Sequence, residues 1–277
     1  MLDPLFTLSV EELRARARIG IHLEPDIPRL LAHFARSIAT EIRSREVARL
    51  ILPVGPMGHY PLLAEITNRE RISWRNAHVF QMDEFLDWQG RPIPTTHPLS
   101  FEGAMRRFFA SIDPELRIPD AQYHVPHPFR IDAISDAIAE AGGVDVCYGG
   151  IGYHGHVAFN EPPLSRWARI SVEELRHSLT RVVTLGSDSI VVQSIGSAGG
   201  SAAAIPPMAV TLGMRDILAA RKVRLYCAGG ARHSAVFRVA VAAEVSVDYP
   251  ATLLQGHPDA VILTDDATAQ PIQLGLR

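Results

Sequence analysis

Short apolar runs alternate with helix-period segments along most of this chain, and no other feature limits its fold as strongly. "VARLILPVG" (47–55), "AHVFQMDE" (77–84), "VDVCYGGI" (144–151), "TRVVTLG" (180–186), "KVRLYCAGG" (222–230) and "DAVILTDD" (259–266) read as strands. Their apolar residues run on instead of alternating with polar ones, which is the pattern of strands covered on both faces. Between them, Leu31, Phe34, Ile38 and Ile42 recur at helical spacing behind Asp26, and Ser9 with Glu12 forms a capping box. Further helices are expected at about 59–68, 98–111, 131–141, 208–220 and 231–243. The expected fold is α/β: a Rossmann-like, mostly parallel β-sheet with helices on both faces.

No internal repeat or Pro/Ser-rich linker divides the 277 residues, so 1–277 is read as a single domain. The segment 186–207 is rich in Gly, Ser and Ala and reads either as a flexible loop or lid or as a plain surface excursion. A flexible lid over about 157–207 is expected.

A net charge of −3 gives no electrostatic reason for nucleic acid or an anionic membrane as partner. There is no run of eighteen apolar residues, and the first residues lack the order of a signal peptide. Cys147 and Cys227 sit inside apolar runs, as buried reduced thiols do. A cytoplasmic location is expected.

In a parallel α/β sheet, ligands collect beyond the carboxyl ends of the strands. Three such ends carry unusual residues: "LPVGPMGH" (52–59), "FQMDEF" (80–85) and "GGIGYHGHVAFNEPP" (149–163). Gly150, Gly152 and Gly155 have the spacing of a dinucleotide turn, but no helix opening follows and Pro162 and Pro163 do, so no nucleotide cofactor is expected. His154 and His156 would point the same way on an extended segment, and Glu161 or Asp83 could join them around zinc. No third cluster with ligand spacing supports that, and no metal is expected. Acid–base chemistry on a small polar molecule is the third reading. His156 would transfer protons near neutrality, Glu161 would orient it, and Asp83 would be a second base. Each also fits a plain structural part: Asp83-Glu84 capping a helix, His156 satisfying backbone groups.

"GGIGYHGHVAFNEP" resembles the signature of the glucosamine-6-phosphate deaminase (isomerase) family, roughly G-x-G-x-[DN]-G-H-[IL]-[AG]-[FL]-N-E-P. "FQMDEF", "HPLSFEGAMRRFFASID" and "ATLLQGHPDAVILTDDA" are similar to other segments of that family, in the same order, from about residue 50 to 266. The resemblance implies a Rossmann-like fold without nucleotide and an amino-sugar 6-phosphate as substrate. The sugar would be ring-opened, isomerised and released as ketose phosphate and ammonia. Carried over by position, Asp83 moves the proton between C2 and C1, and His156, held by Glu161, opens the ring. Arg181 and Arg232 fall at cationic phosphate positions. Gly55, Met57, Gly58, His59, Glu84 and Gly152 fall among the other substrate contacts. A homo-oligomer is consistent with the family.

Two departures stand out. His154 occupies a position the family gives to Asp or Asn, and an imidazole cannot raise the basicity of His156 as a carboxylate would. The family's L-P-T-G-[GS]-[ST]-P loop is "LPVGPMGHYP" here, so Val54, Pro56 and Met57 replace hydroxyl residues and Pro56 removes an amide donor. His59 is the residue expected to compensate. The alternatives on the same scaffold are a sugar-lactone hydrolase and a sugar-phosphate-binding protein without turnover.

Overall fold

The structure is a computed structural model, described for residues 3–162 and 169–273. Among the described residues ten strands form two sheets: β1 (Gly20–Glu24), β2 (Ala48–Leu52), β3 (Ala77–Gln81), β4 (Asp83–Leu86), β5 (Tyr123–His124), β6 (Val146–Gly150), β7 (Arg181–Thr184), β8 (Met208–Thr211), β9 (Lys222–Tyr226) and β10 (Ala260–Asp265). The larger sheet has the order β1-β10-β9-β6-β2-β3-β5, and every pair in it is parallel. From β2 the chain moves outward through β3 and β5. It then returns to β6 on the other side of β2 and moves away through β9 and β10. The β2–β6 boundary is therefore the topological switch point, where a crevice opens beyond the strand ends.

Helices α1 (Val10–Arg16), α2 (Ile27–Arg43), α3 (His59–Arg69), α4 (Phe101–Ala110), α5 (Ala133–Glu140), α6 (Val172–Arg176), α7 (Ser187–Ser197), α8 (Met214–Leu218) and α9 (Ser234–Ala242) surround the sheets. Side chains of a strand alternate between faces, so each central strand feeds two cores. Leu50, Leu52, Val79, Val146 and Tyr148 pack with Leu30, Phe34 and Ile38 of α2 and with Leu63 and Phe108. Ile51, Phe80 and Cys147 pack on the other face with Ile134, Ile217, Phe237 and Val241. Continuous apolar strands are the sequence trace of this two-sided burial. Arg238 is fully buried and donates to the carbonyls of Leu5, Leu8 and Ala269, which ties both ends of the described chain to α9. Among the described residues no helix is long and apolar enough to cross a membrane.

Three expectations need correction. Residues 208–220 are not one helix: Met208–Thr211 is β8, the middle strand of an antiparallel sheet β4-β8-β7, and only Met214–Leu218 is helical. Ala209, Val210 and Thr211 are fully buried there, so pairing on both edges overrides local preference. "TRVVTLG" and Asp83-Glu84 likewise belong to this second sheet and not to the parallel one. Finally, 186–207 is not a structureless loop. It forms α7, whose Ser189 and Ser194 are buried, so its small residues serve close packing. Residues 163–168 of the expected lid lie outside the described residues.

Candidate active site

A cavity of about 270 Å³ opens at the switch point. Its wall comes from the loop after β2 (Pro53–Pro56), the β3–β4 junction (Met82, Asp83) and the loop after β6 (Gly150–Gly152, His156). Gln193 of α7 and Tyr226, Ala228 and His233 around the end of β9 complete it. Four residues singled out from the sequence thus meet in one place: Asp83, His156, Gly55 and Gly152.

The loop after β6 is shaped by its glycines. The amide of Gly152 donates to the His156 carbonyl at 2.9 Å and that of Gly155 to the Gly152 carbonyl at 2.8 Å, with Gly155 at φ +70°. A Cβ on Gly152 would lie 1.9 Å from His156 Nε2, so only glycine lets the imidazole lie across this turn. Ala158, on the cavity wall, holds φ +54°, a left-handed backbone that non-glycine residues adopt at a cost. Gly152 and Gly155 of the motif therefore shape a turn that carries a histidine.

Asp83 is where the chain leaves one sheet for the other, and its carboxyl is buried. Burial, and then the neighbouring Glu84 charge, pushes it up to about 8. His156 is pushed down to about 4, by burial first and then by His154 and His233, so its imidazole is neutral at pH 7. Its Nδ1 has no hydrogen-bond partner among the described residues. The carboxyl can take or give a proton near neutrality, and the neutral imidazole on the same wall offers one ring nitrogen as donor and the other as acceptor.

The other expected residues lie elsewhere. Glu161 does not hold His156: its Oε2 accepts from the Gly186 amide at 2.6 Å, just before α7, and its buried Oε1 is unpartnered among the described residues. His154 Nε2 faces Asp188 Oδ2 of α7 at 3.2 Å. Glu84 is consumed at the N-terminus of α4, accepting from the amides of Phe85 (2.8 Å), Phe101 (2.9 Å) and Glu102 (2.6 Å) and from Ser100 Oγ (3.1 Å). His59 faces the core against Phe34 and Tyr60, its Nδ1 at 2.6 Å from the Pro56 carbonyl, and burial lowers it to about 3. It therefore does not compensate in the loop. Met57 is exposed and off the cavity wall, and Gly58 sits against Leu31 at the start of α3. Arg181 donates to Asn160 Oδ1 at 2.8 Å, while Asn160 Nδ2 donates to the Leu212 carbonyl at 2.8 Å, a network that ties the motif to the second sheet. Arg232 lines a different cavity, with Ser234 and Gln270; the neighbour that reaches the active cavity is His233.

His233, Gln193 and Tyr226 were missed in the sequence. His233 had a signal, one residue beyond Arg232 after the glycine pair; Gln193 had none, because α7 read as a loop. His154 and His156 are not part of a group of three metal-type ligands within mutual reach among the described residues. The grouping of that kind there is His22, Glu24 and His33, on β1 and α2, with His22 Nε2 at 2.7 Å and His33 Nδ1 at 3.4 Å from Glu24 Oε1.

A cavity lined by a raised carboxyl and a neutral imidazole, at the switch point of a Rossmann-like sheet, is thus what fold and geometry define. No protein-family model matches the chain. It is 32% identical to the glucosamine-6-phosphate deaminase of Rhodopirellula baltica over 91% of its length and 95% of that protein's. It is also 32% identical to the one of Mycolicibacterium smegmatis, over 90% and 91%. Glucosamine-6-phosphate deaminase 2 of Homo sapiens is 31% identical over 79% and 75%. The chain belongs to the glucosamine-6-phosphate deaminase family. Its fold matches a monomeric glucosamine-6-phosphate deaminase of the NagB superfamily with a TM-score of 0.77 at 23% identity, covering 91% of this chain and 99% of that one. A 6-phosphogluconolactonase from Shewanella baltica matches at 0.66 and 17% identity, over 89% and 97%.

Proposed function

We propose that this protein is an amino-sugar deaminase/isomerase that carries out the amino-sugar-phosphate reaction of its family, or a close variant of it, with Asp83 and His156 as its proton carriers. The observation that carries this reading is that both residues line one cavity at the switch point, with opposite pKa displacements. In ring opening a proton leaves the C1 hydroxyl and one arrives at the ring oxygen as the C1–O5 bond breaks. A neutral imidazole with a free Nδ1 suits that exchange. Ionised Asp83 then takes the C2 proton and returns it to C1, while a proton passes from the substrate ammonium to the C1 oxygen. The resulting imine at C2 is hydrolysed to ketose and ammonia. An ammonium on the bound sugar would lower Asp83 from its raised value, because an opposite charge favours the carboxylate. The substrate amine thereby readies its own base. We assign α7, which brings Gln193 to the cavity wall, as the cover of the site.

Ammonia release in deuterated buffer tests the reading. Deuterium is expected at C1 of the ketose. Asp83 must be ionised to act and sits at about 8 in the empty site, so kcat/KM should rise with pH through that region and level off above it. Absence of ammonia from every amino sugar, phosphorylated or free, would refute the assignment.

A further inference from the structure

We propose that His22, Glu24 and His33 form a binding site for a divalent transition metal of the zinc type, which clamps the edge strand β1 to helix α2. None of the three lines the active cavity, and the proposal is independent of the deaminase reading. Alternate residues of a strand point to one side, so His22 and Glu24 share a face of β1. His33 meets them from α2, whose start is fixed by Asp26 accepting from the Arg29 amide at 2.8 Å. The three candidate ligand atoms all lie within 4.8 Å of one another. Glu24 Oε1 is 2.7 Å from His22 Nε2 and 3.4 Å from His33 Nδ1, so both imidazoles turn a nitrogen to one carboxylate oxygen. Their rings stack with centroids 3.9 Å apart.

Tetrahedral zinc, with bonds of about 2.0–2.1 Å, holds its ligand atoms about 3.3–3.4 Å apart. The His33–Glu24 spacing already has that value, and His22 need draw back from the carboxylate by only about 0.7 Å. Two imidazoles and a carboxylate suit zinc and its first-row neighbours, whereas magnesium and calcium prefer oxygen ligands. Two stacked imidazolium rings would repel each other, so the pair favours neutral rings, whose lone pairs a metal takes. Glu24 and His33 also line a cavity of about 480 Å³, which gives an ion a path of entry and room for water as a fourth ligand. Arg36 and Arg69 on its wall are paired with Glu70 at 2.6 Å and Glu65 at 2.9 Å, which balances their charge. β1 ends the larger sheet and pairs there with β10 alone. A metal shared with α2 fastens this strand from its other side, and binding to the folded form alone stabilises it.

Calorimetric titration of the intact, chelator-stripped protein with zinc chloride tests this, alongside thermal unfolding with and without the ion. One equivalent should bind with a micromolar or tighter Kd, and the unfolding temperature should rise by a few degrees. Magnesium chloride should do neither. His22→Ala combined with His33→Ala should weaken that equivalent by about a hundredfold or more, since loss of even an outer partner of a ligand costs about 10–100-fold. Glu24→Gln keeps the shape and should weaken it by about tenfold or more, which serves if the double variant fails to fold. Zinc binding no tighter than millimolar would overturn the proposal, as would an equal response to magnesium. Undiminished binding by the folded variants would place zinc at other histidines and overturn it too. Tight binding without a rise in unfolding temperature would refute the clamp.

Discussion

The two ends of the cavity, at β3 and at β9, each carry a pair of adjacent polar residues, and in each pair only one reaches the cavity. At the β3 end Asp83 lines the cavity while Glu84 closes the N-terminus of α4. At the β9 end His233 lines it while Arg232 faces a separate cavity. On a strand the side chains of neighbours point to opposite sides, so one functional and one structural residue is the natural outcome at β4. The two ends differ in what they leave for a ligand. The β3 end provides a carboxyl raised to about 8, and the β9 end, among the described residues, the neutral polar groups of His233 and Tyr226. The titrating carboxyl thus sits at one end, and His156, on the loop after β6, lies between the two.

Asp83→Asn is the sharpest way to break this division. It keeps the shape and removes the base, so kcat should fall by about 10²–10⁴ while sugar affinity stays within about tenfold. Steady-state ammonia release with parallel titration measures both; unchanged turnover would take Asp83 out of the chemistry.

Glu84→Gln should act on stability instead. The carboxylate accepts four hydrogen bonds, from Phe85, Ser100, Phe101 and Glu102, and an amide NH₂ cannot accept those that fall to it. A loss of about 2–4 kcal/mol is expected in urea unfolding, with KM little changed. The neighbouring charge helps to hold Asp83 up, so the acidic limb of the pH profile should also move to lower pH. A raised KM at unaltered stability would instead make Glu84 a substrate contact.

The smallest effect is expected for Arg232→Ala, within about threefold in kcat/KM for any amino sugar, because its side chain faces another cavity. A large loss confined to phosphorylated sugars would reverse the roles of Arg232 and His233.

The alternation of apolar runs with helical segments was enough to read a parallel, two-sided α/β sheet. Burial on both faces leaves a local trace that Leu50, Ile51 and Leu52 show directly. Asp83 and His156 were also legible, because strand ends followed by glycine or acidic residues mark the ligand edge of such sheets. The second sheet was not legible. Met208–Thr211 has no strand pattern of its own and is a strand only because β4 and β7 pair with its two edges. Partners were equally hidden. Glu161 holds the Gly186 amide instead of His156, and His154 meets Asp188, because α7 folds back on the motif from a segment that looked structureless. Side-chain direction at the β9 end was decided in the same way: Arg232 and His233 differ by one position along a short 3₁₀ turn, and only the turn's placement over the sheet selects which of them faces the cavity. Periodicity and strand-end chemistry are local properties carried by the residues themselves. Which neighbour turns inward, and which charge finds a partner, depends on contacts between segments far apart in the chain, and these exist only once it has folded.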